Sequence, residues 1–399
     1  MSTTAEQMRA WTGPAIFTYG FRPFFFSAGF WAALAMIVWI AMLSGHDVLP
    51  SAFDPVSWHA HEFLFGYLGA VVAGFMLTAV PNWTGRLPIV GWPLAALFAL
   101  WVAGRLAVAV SGVLPPLLVA VIDLSFPVML AAAMMREIVA GRNWNNLMIV
   151  GLLASFIIAN GLFHWDAARG EVAASGAGLR LGLATGLMLI AVIGGRIVPS
   201  FTRNWLVKRG DKLLPTPPMQ RFDKVALLTL LGALLAWVIW PLHLITGALL
   251  VIAGGMHLLR LARWAGLRTG SEALVWVLHL AYLFLPVGAL VQGVAILTPD
   301  LITTAAAQHL WMAGTLGLMT LAVMTRATLG HTGGTLTAGA GTTTLYLLLV
   351  AAVLTRVAAG IWPGWAGEFH ILSAACWIGA FGGFALLYGG RLLRVRPGG

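Results

Sequence analysis

Apolar residues run along this chain in stretches far longer than a strand or one buried face of a soluble helix requires. Twelve segments approach the roughly 20 residues needed to cross a hydrocarbon core, at about 24–43, 57–80, 91–110, 114–136, 145–164, 178–199, 223–242, 244–262, 273–296, 302–325, 342–359 and 369–390. The pattern predicts an all-α polytopic membrane protein with about twelve transmembrane helices. The polar breaks are short, and the seventh and eighth segments are divided only by Pro241 and His243. The longest break, Arg203 to Asp223, holds Lys208, Arg209, Lys212 and the cluster Pro215, Pro217, Pro218. A second flexible stretch, rich in Gly and Thr, runs from Thr332 to Thr344. The expected organisation is a single integral membrane domain over 1–399. Helices 1–6 fall at about 24–199, a basic cytoplasmic loop at about 200–222, and helices 7–12 at about 223–390.

Composition supports that reading. Only 9% of residues are charged against 60% hydrophobic, too little charge for a soluble domain of this length. Placing both termini on the cytoplasmic side puts 19 of the 23 Lys and Arg inside, Arg9 and Arg396 among them. Removing one helix would scramble this alternation, so the charge bias favours an even number of spans. The net charge of +10 therefore reads as topology. No basic cluster is interleaved with aromatics in a polar domain, and a nucleic-acid partner is not expected. The first apolar run, Phe24 to Leu43, is of span length and is expected to remain as a helix. The lone cysteine, Cys376, excludes a disulfide framework, a CxxC pair, an iron–sulfur cluster and covalent c-type haem.

The chemistry lies in ten histidines, most of them inside or at the ends of the spans. Imidazole in hydrocarbon needs a partner, and neutral imidazole is a common ligand of metals and haem iron. Trp58-His59-Ala60-His61-Glu62 opens the second helix. On a regular helix the two rings point about 200° apart, so they serve different partners. Glu62 suits the positive end of the helix dipole. Gly66, Gly69, Ala70, Ala73 and Gly74 then form a surface open to close approach. His164 closes the fifth helix, His309 lies about two turns into the tenth, and His331 lies toward the inner side. His279 and Tyr282 are one turn apart, a pair that can relay protons or form a buried hydrogen bond. Interfacial solvation and interhelical hydrogen bonding are the structural alternatives for these rings, and they are preferred for His46, His243, His257 and His370. Asp123 is the one carboxylate in mid-span. Arg105 on the preceding helix stands at similar depth, so an Arg105–Asp123 ion pair is expected across that hairpin. Arg86, Arg196, Arg203, Asn204 and Arg326 stand at helix ends, where they can anchor the inner face or grip anionic groups such as haem propionates.

Six ordered motifs carry a family resemblance: GFRPFFF (Gly20 to Phe26), WHAHEFLFG (Trp58 to Gly66), AVPNWTGR (Ala79 to Arg86), GGRIVPSFTRN (Gly194 to Asn204), LHLAYLFLPVG (Leu278 to Gly288) and MTLAVMTRATLGHTGG (Met319 to Gly334). Together they resemble the NnrS family over nearly the whole chain. The resemblance implies a bacterial inner-membrane protein of about twelve helices that contains haem and copper and acts in the response to nitric oxide and nitrosative stress. It singles out His59, His61, Glu62, His164, Arg196, Arg203, Asn204, His279, Tyr282, His309, Arg326 and His331. Of these the six histidines are expected as metal ligands and Glu62 and Tyr282 as residues of catalysis, with Arg86, Arg196, Arg203, Asn204 and Arg326 as cofactor-holding groups. Which histidine takes which metal it leaves open, and no Met-rich tract marks a copper site.

The expected function is a non-covalent haem b protein, with copper as a further metal, handling nitric oxide within the bilayer. Reduction of nitric oxide at haem with quinol as donor would make it an oxidoreductase. Two alternatives stand beside this reading: a twelve-helix proton-coupled transporter, in which Pro127 and Pro286 would break helices, and a haem-based gas sensor without turnover.

Overall fold

The computed structural model describes residues 11–86, 88–299 and 302–394; Arg9 and Arg396 lie outside them. Among the described residues no strand occurs, and twelve helices are long and apolar enough to span a membrane. They are α1 (Phe21–Leu43), α2 (Pro55–Thr84), α3 (Trp92–Ala109), α4 (Pro116–Ala140), α5 (Trp144–Ala168), α6 (Ala177–Lys208), α7 (Arg221–Ile239), α8 (Leu244–Ala262), α9 (Ala273–Leu297), α10 (Thr304–His331), α11 (Ala340–Ile361) and α12 (Pro363–Leu393). The twelve-span expectation holds, the narrow α7–α8 turn included. There His243 takes the structural role expected of it, capping α8 by accepting from the Ile245 N–H at 3.3 Å.

Local chemistry explains the helix starts. Asp54 accepts from the N–H groups of Val56 and Ser57, and Pro55 follows at the first helical position, where its missing N–H costs nothing. Glu272 caps α9 and Thr303 caps α10 in the same way. Before α3, Gly91 stands at φ +69°, a left-handed conformation that a side chain would strain.

Two expectations need amendment. The sixth helix does not stop near residue 199: α6 runs on through Lys208. Val198, Thr202 and Leu206, four residues apart, stay buried, so the apolar stripe continues while Arg203, Asn204 and Lys208 face outward. Nor are Pro127 and Pro286 breaks, since each sits inside a continuous helix. The irregular backbone is π-helical instead, at Glu62–Tyr67 in α2, Ile190–Gly194 in α6 and Leu310–Leu318 in α10. Each π turn adds a residue and frees a backbone carbonyl, a distortion common at functional sites.

Contacts divide the chain into two compact units. The first comprises the residues up to Gly182, His331–Gly334 and those from Phe381 onward. In it the GFRPFFF motif is a packing device. Phe21, Phe24 and Phe25 are buried, and the Phe25 ring lies against Gly74, where a Cβ would come within 2.7 Å. Arg22 turns toward the end of α12 and donates to the carbonyls of Arg391, Leu392 and Arg394 at 3.0–3.2 Å. It thereby satisfies helix C-terminal acceptors that hydrocarbon cannot.

The second unit, Leu183–Gly330 with Thr335–Ala380, is organised around Arg260, a fully buried guanidinium. Arg260 donates to Asp223 at 3.0 Å, to the Tyr282 hydroxyl at 2.7 Å and to the Ala191 carbonyl of the π turn at 2.9 Å. Tyr282 in turn donates to His257 Nδ1 at 2.9 Å, and His257 Nε2 donates to the Ala226 carbonyl at 3.1 Å. α8 and α9 meet through Gly247, Gly254 and Gly293, with backbone so close that a Cβ on Gly293 would lie 2.7 Å from the Gly247 carbonyl.

Asp223→Ala leaves the Arg260 charge buried without its carboxylate and is expected to lower stability by about 3–5 kcal/mol. Lys224→Ala, at the exposed neighbouring position, should change it by less than about 0.5 kcal/mol. Unfolding of the two purified variants in detergent micelles checks both.

Candidate metal centre

The two histidines of α2 diverge as the helical angle requires. His59 stacks on Trp39 with ring centroids 4.4 Å apart and packs against Phe63 at 4.6 Å. His61 faces the interior of the first unit and is wholly buried. At the next residue the π turn begins, and it brings Glu62 into the same interior. The Gly66 carbonyl, within the π turn, accepts from Trp101 Nε1 at 3.0 Å. Gly66 also leaves the room that Arg105 occupies, since a Cβ there would stand 2.3 Å from Arg105 Nη1.

Asp123 is the hub. The Arg105–Asp123 contact expected across the α3–α4 hairpin is present, through Arg105 Nη2 and Asp123 Oδ1. The same guanidinium donates through Nη1 to Glu62 Oε1 at 2.7 Å, so one cation ties two carboxylates. Trp31 Nε1 donates to Glu62 Oε2 at 2.8 Å. On its other oxygen, Asp123 accepts from Asn160 Nδ2 at 2.7 Å and His164 Nε2 at 3.0 Å, with His61 Nε2 at 3.2 Å. His61 Nε2 also lies 3.0 Å from Asn160 Oδ1, and its Nδ1 lies 3.0 Å from Glu62 Oε1. Both nitrogens of this ring therefore face oxygen acceptors. Phe53, Phe65 and Phe163 stand 5.3–5.4 Å from the ring and screen it from solvent.

Charge counting shows what the group lacks. Glu62 and Asp123 bring two negative charges, Arg105 one positive, and neutral imidazoles none. One negative charge remains in surroundings where Asp123 is 2% exposed and Glu62 1%. A cation, whether proton or metal, offsets it. Among the described residues, His61, Asp123 and His164 form a group whose ligand atoms all lie within 4.8 Å of one another. Two imidazoles and a carboxylate suit a borderline transition ion such as copper, zinc or iron.

A porphyrin does not fit at this group. The adjoining pocket, lined among others by Phe65, Gly69, Phe126 and Phe156, admits about one water molecule. The rings are held edge to carboxylate and amide, with His61 and His164 centroids 5.1 Å apart. A compact ion can replace a proton there; a macrocycle between the rings cannot.

The other candidates lie apart from this centre. His279 and Tyr282, adjacent on α9, turn to different partners: His279 Nε2 meets Thr202 Oγ1 at 2.7 Å, while Tyr282 belongs to the Arg260 network. His309 is half-buried, with Nδ1 2.7 Å from the Ala305 carbonyl. His331 is exposed at the end of α10, its ring 5.4 Å from Phe21. The arginines do not gather around any histidine cluster. Arg86 pairs with Glu137 at 2.6 Å, Arg326 stacks over Phe201 at 4.1 Å, Arg196 is half-buried, and Arg203 and Asn204 face outward from α6.

The family model for NnrS protein matches residues 15–396, nearly the whole chain. The chain belongs to the NnrS family. No curated protein matches it. Within the NnrS chain, the residues that sequence reasoning missed are those that share a partner. Asn160 precedes His164 by one turn on α5, a spacing that could have flagged it. His257 and Arg260 are likewise one turn apart on α8, where His257 bridges the Tyr282 hydroxyl and the Ala226 carbonyl.

Arg105→Met strands two buried carboxylates and should cost about 3–5 kcal/mol. The double variant Arg105→Met/Asp123→Leu should lose less than the sum of its single variants by more than about 0.5 kcal/mol, measured as a double-mutant cycle of unfolding in detergent.

Proposed function

We propose that this NnrS-family protein holds a transition-metal ion inside the bilayer, through His61, Asp123 and His164, and acts in nitric oxide handling in the bacterial inner membrane. The convergence of three ligand atoms at two buried carboxylates that share one guanidinium carries the reading. Copper, implied by the family resemblance, is the metal that this donor set suits best within that reading. When bound, it would supply a redox-active Lewis acid. The chain's own residues do the rest. Glu62 orients His61 through Nδ1, Asn160 fixes the Asp123 carboxylate, Arg105 ties both carboxylates together, and the surrounding phenylalanines exclude water.

Haem b, also implied by the family, finds no cradle at this group. If the chain carries it, the imidazole candidates are the other rings that the family resemblance singles out, His59, His279, His309 and His331. We derive no step through it. Reduction of nitric oxide with quinol as donor is the enzymatic form of the proposal, and gas sensing without turnover is its silent form. Nitric oxide consumption by the purified protein with a quinol analogue tells the two apart.

Metal analysis of full-length protein from copper-supplemented cells tests the core of the reading. His61→Ala and His164→Ala should lose the bound ion, whereas Arg203→Ala should keep it. Glu62→Gln should weaken metal affinity about 10–100-fold while the ion remains detectable. Wild-type protein without metal, or metal content unchanged in both histidine variants, would refute the assignment.

A further inference from the structure

In the second unit the α6–α7 and α8–α9 connections are tied to each other. Arg268 donates to Asp211 Oδ2 through Nε at 3.0 Å and through Nη2 at 2.8 Å. The Thr216 N–H donates to the Arg263 carbonyl at 3.0 Å, and Arg263 Nη2 donates to Gln220 Oε1 at 2.7 Å. Asp211 also accepts from the Leu213 N–H at 3.0 Å, so one carboxylate holds both loops. The joined pair presents leucines outward. Leu267 is fully exposed, and Leu213 is 65% exposed. Two residues before Leu267, Ala265 stands at φ +56°, a left-handed conformation that strains a residue with a Cβ.

The charge around these leucines is of one sign. Lys208, Arg209, Lys212, Arg221 and Lys224 are exposed, and among the described residues none of them forms an ion pair. The only carboxylates between residues 203 and 271 are Asp211 and Asp223, and they are engaged by Arg268 and Arg260. Position decides what partner suits such a patch. On α7, Val225, Leu228, Leu231 and Leu235 are exposed at spacings of three and four, which makes theirs the lipid-facing stripe. Arg221 and Lys224 precede Val225 and Leu228 by one turn and extend that stripe. On α6, exposed Val207 adjoins Lys208 and Arg209 in the same way. The cations therefore stand where acyl chains give way to headgroups. An acidic soluble protein would match the charge, but it would not account for fully exposed leucines beside a lipid-facing surface.

We propose that the two connections form a membrane-surface platform for anionic phospholipids of the surrounding bilayer. Lys208, Arg209, Lys212, Arg221 and Lys224 meet the headgroup phosphates, and Leu213 with Leu267 sits among the upper acyl carbons. Cations and apolar anchors together give stable interfacial binding where either alone is marginal. The Asp211–Arg268 pair serves the platform by holding the two leucines in place. This surface belongs to the second unit and the metal group to the first, so neither reading depends on the other.

A nitroxide label on full-length protein tests this, placed at Leu267→Cys or Leu213→Cys in a Cys376→Ser background. The protein is embedded in nanodiscs of phosphatidylcholine alone, or of phosphatidylcholine and phosphatidylglycerol in equal parts. In the anionic discs both labels should be shielded from a water-soluble nickel chelate and open to oxygen; in the zwitterionic discs they should meet the chelate freely. Shielding should disappear in the triple variant Lys208→Gln/Arg209→Gln/Lys212→Gln. It should also weaken at about 1 M salt, where the screening length falls to about 3 Å. All these substitutions lie at exposed positions, and the two label sites check each other. Labels that stay open to the chelate in anionic discs, or equal shielding in both lipids, would overturn the proposal. So would shielding in detergent that grows with protein concentration, which would assign the patch to a second copy of the chain.

Discussion

A carboxylate placed inside a transmembrane helix must be neutralised or completed by its neighbours, and Asp123 is completed by three other helices. Arg105 reaches it from α3, His61 from α2, and Asn160 with His164 from α5. Each donor is useful only if the others are in place. Removing one leaves charge or polarity in a medium that cannot solvate it. This mutual dependence fixes the relative positions of α2, α3, α4 and α5 more tightly than apolar packing could, because in lipid a buried leucine gains little over an exposed one. The centre is therefore both the strongest specification of the first unit and its best candidate for chemistry.

The backbone is bent to serve that centre. A regular helix would carry Glu62 a full 100° around from His61. The π turn at Glu62–Tyr67 lets both side chains bond each other and share the interior, and the Gly66 carbonyl within it accepts from Trp101. The second unit repeats the device with other residues. There the π turn at Ile190–Gly194 presents the Ala191 carbonyl to Arg260, and Gly195 leaves the space for the guanidinium, a Cβ there falling 2.2 Å from Nη2. In each unit a buried arginine joins a carboxylate to a distorted helix, and a glycine makes the approach possible.

The two arginine networks differ in what they leave undone. Arg260, Tyr282, His257 and Asp223 form a chain in which each hydroxyl and imidazole proton has a single evident acceptor. With its positive and negative charges matched, it reads as a structural clamp. The Asp123 group sets two carboxylates against one guanidinium and holds an imidazole whose two nitrogens both face oxygen. That imbalance is costly unless a cation resides there. It separates a site from a brace.

Spans, their number and their approximate ends were legible in the sequence because hydropathy is a one-dimensional quantity and the bilayer sets its length scale. The Arg105–Asp123 pair was legible for the same reason: depth can be counted along two adjoining helices. The divergence of His59 and His61 followed from helical geometry alone. The π turns were not legible, since they arise where tertiary contacts repay a distorted backbone. The choice among six candidate histidines was not legible either. His61 and His164 are about a hundred residues apart, and nothing local distinguishes them from His279 or His309. Only packing brings those two rings onto one carboxylate, because a ligand set is a property of positions in space, whereas the sequence states which chemistry is available and how deep each residue can lie.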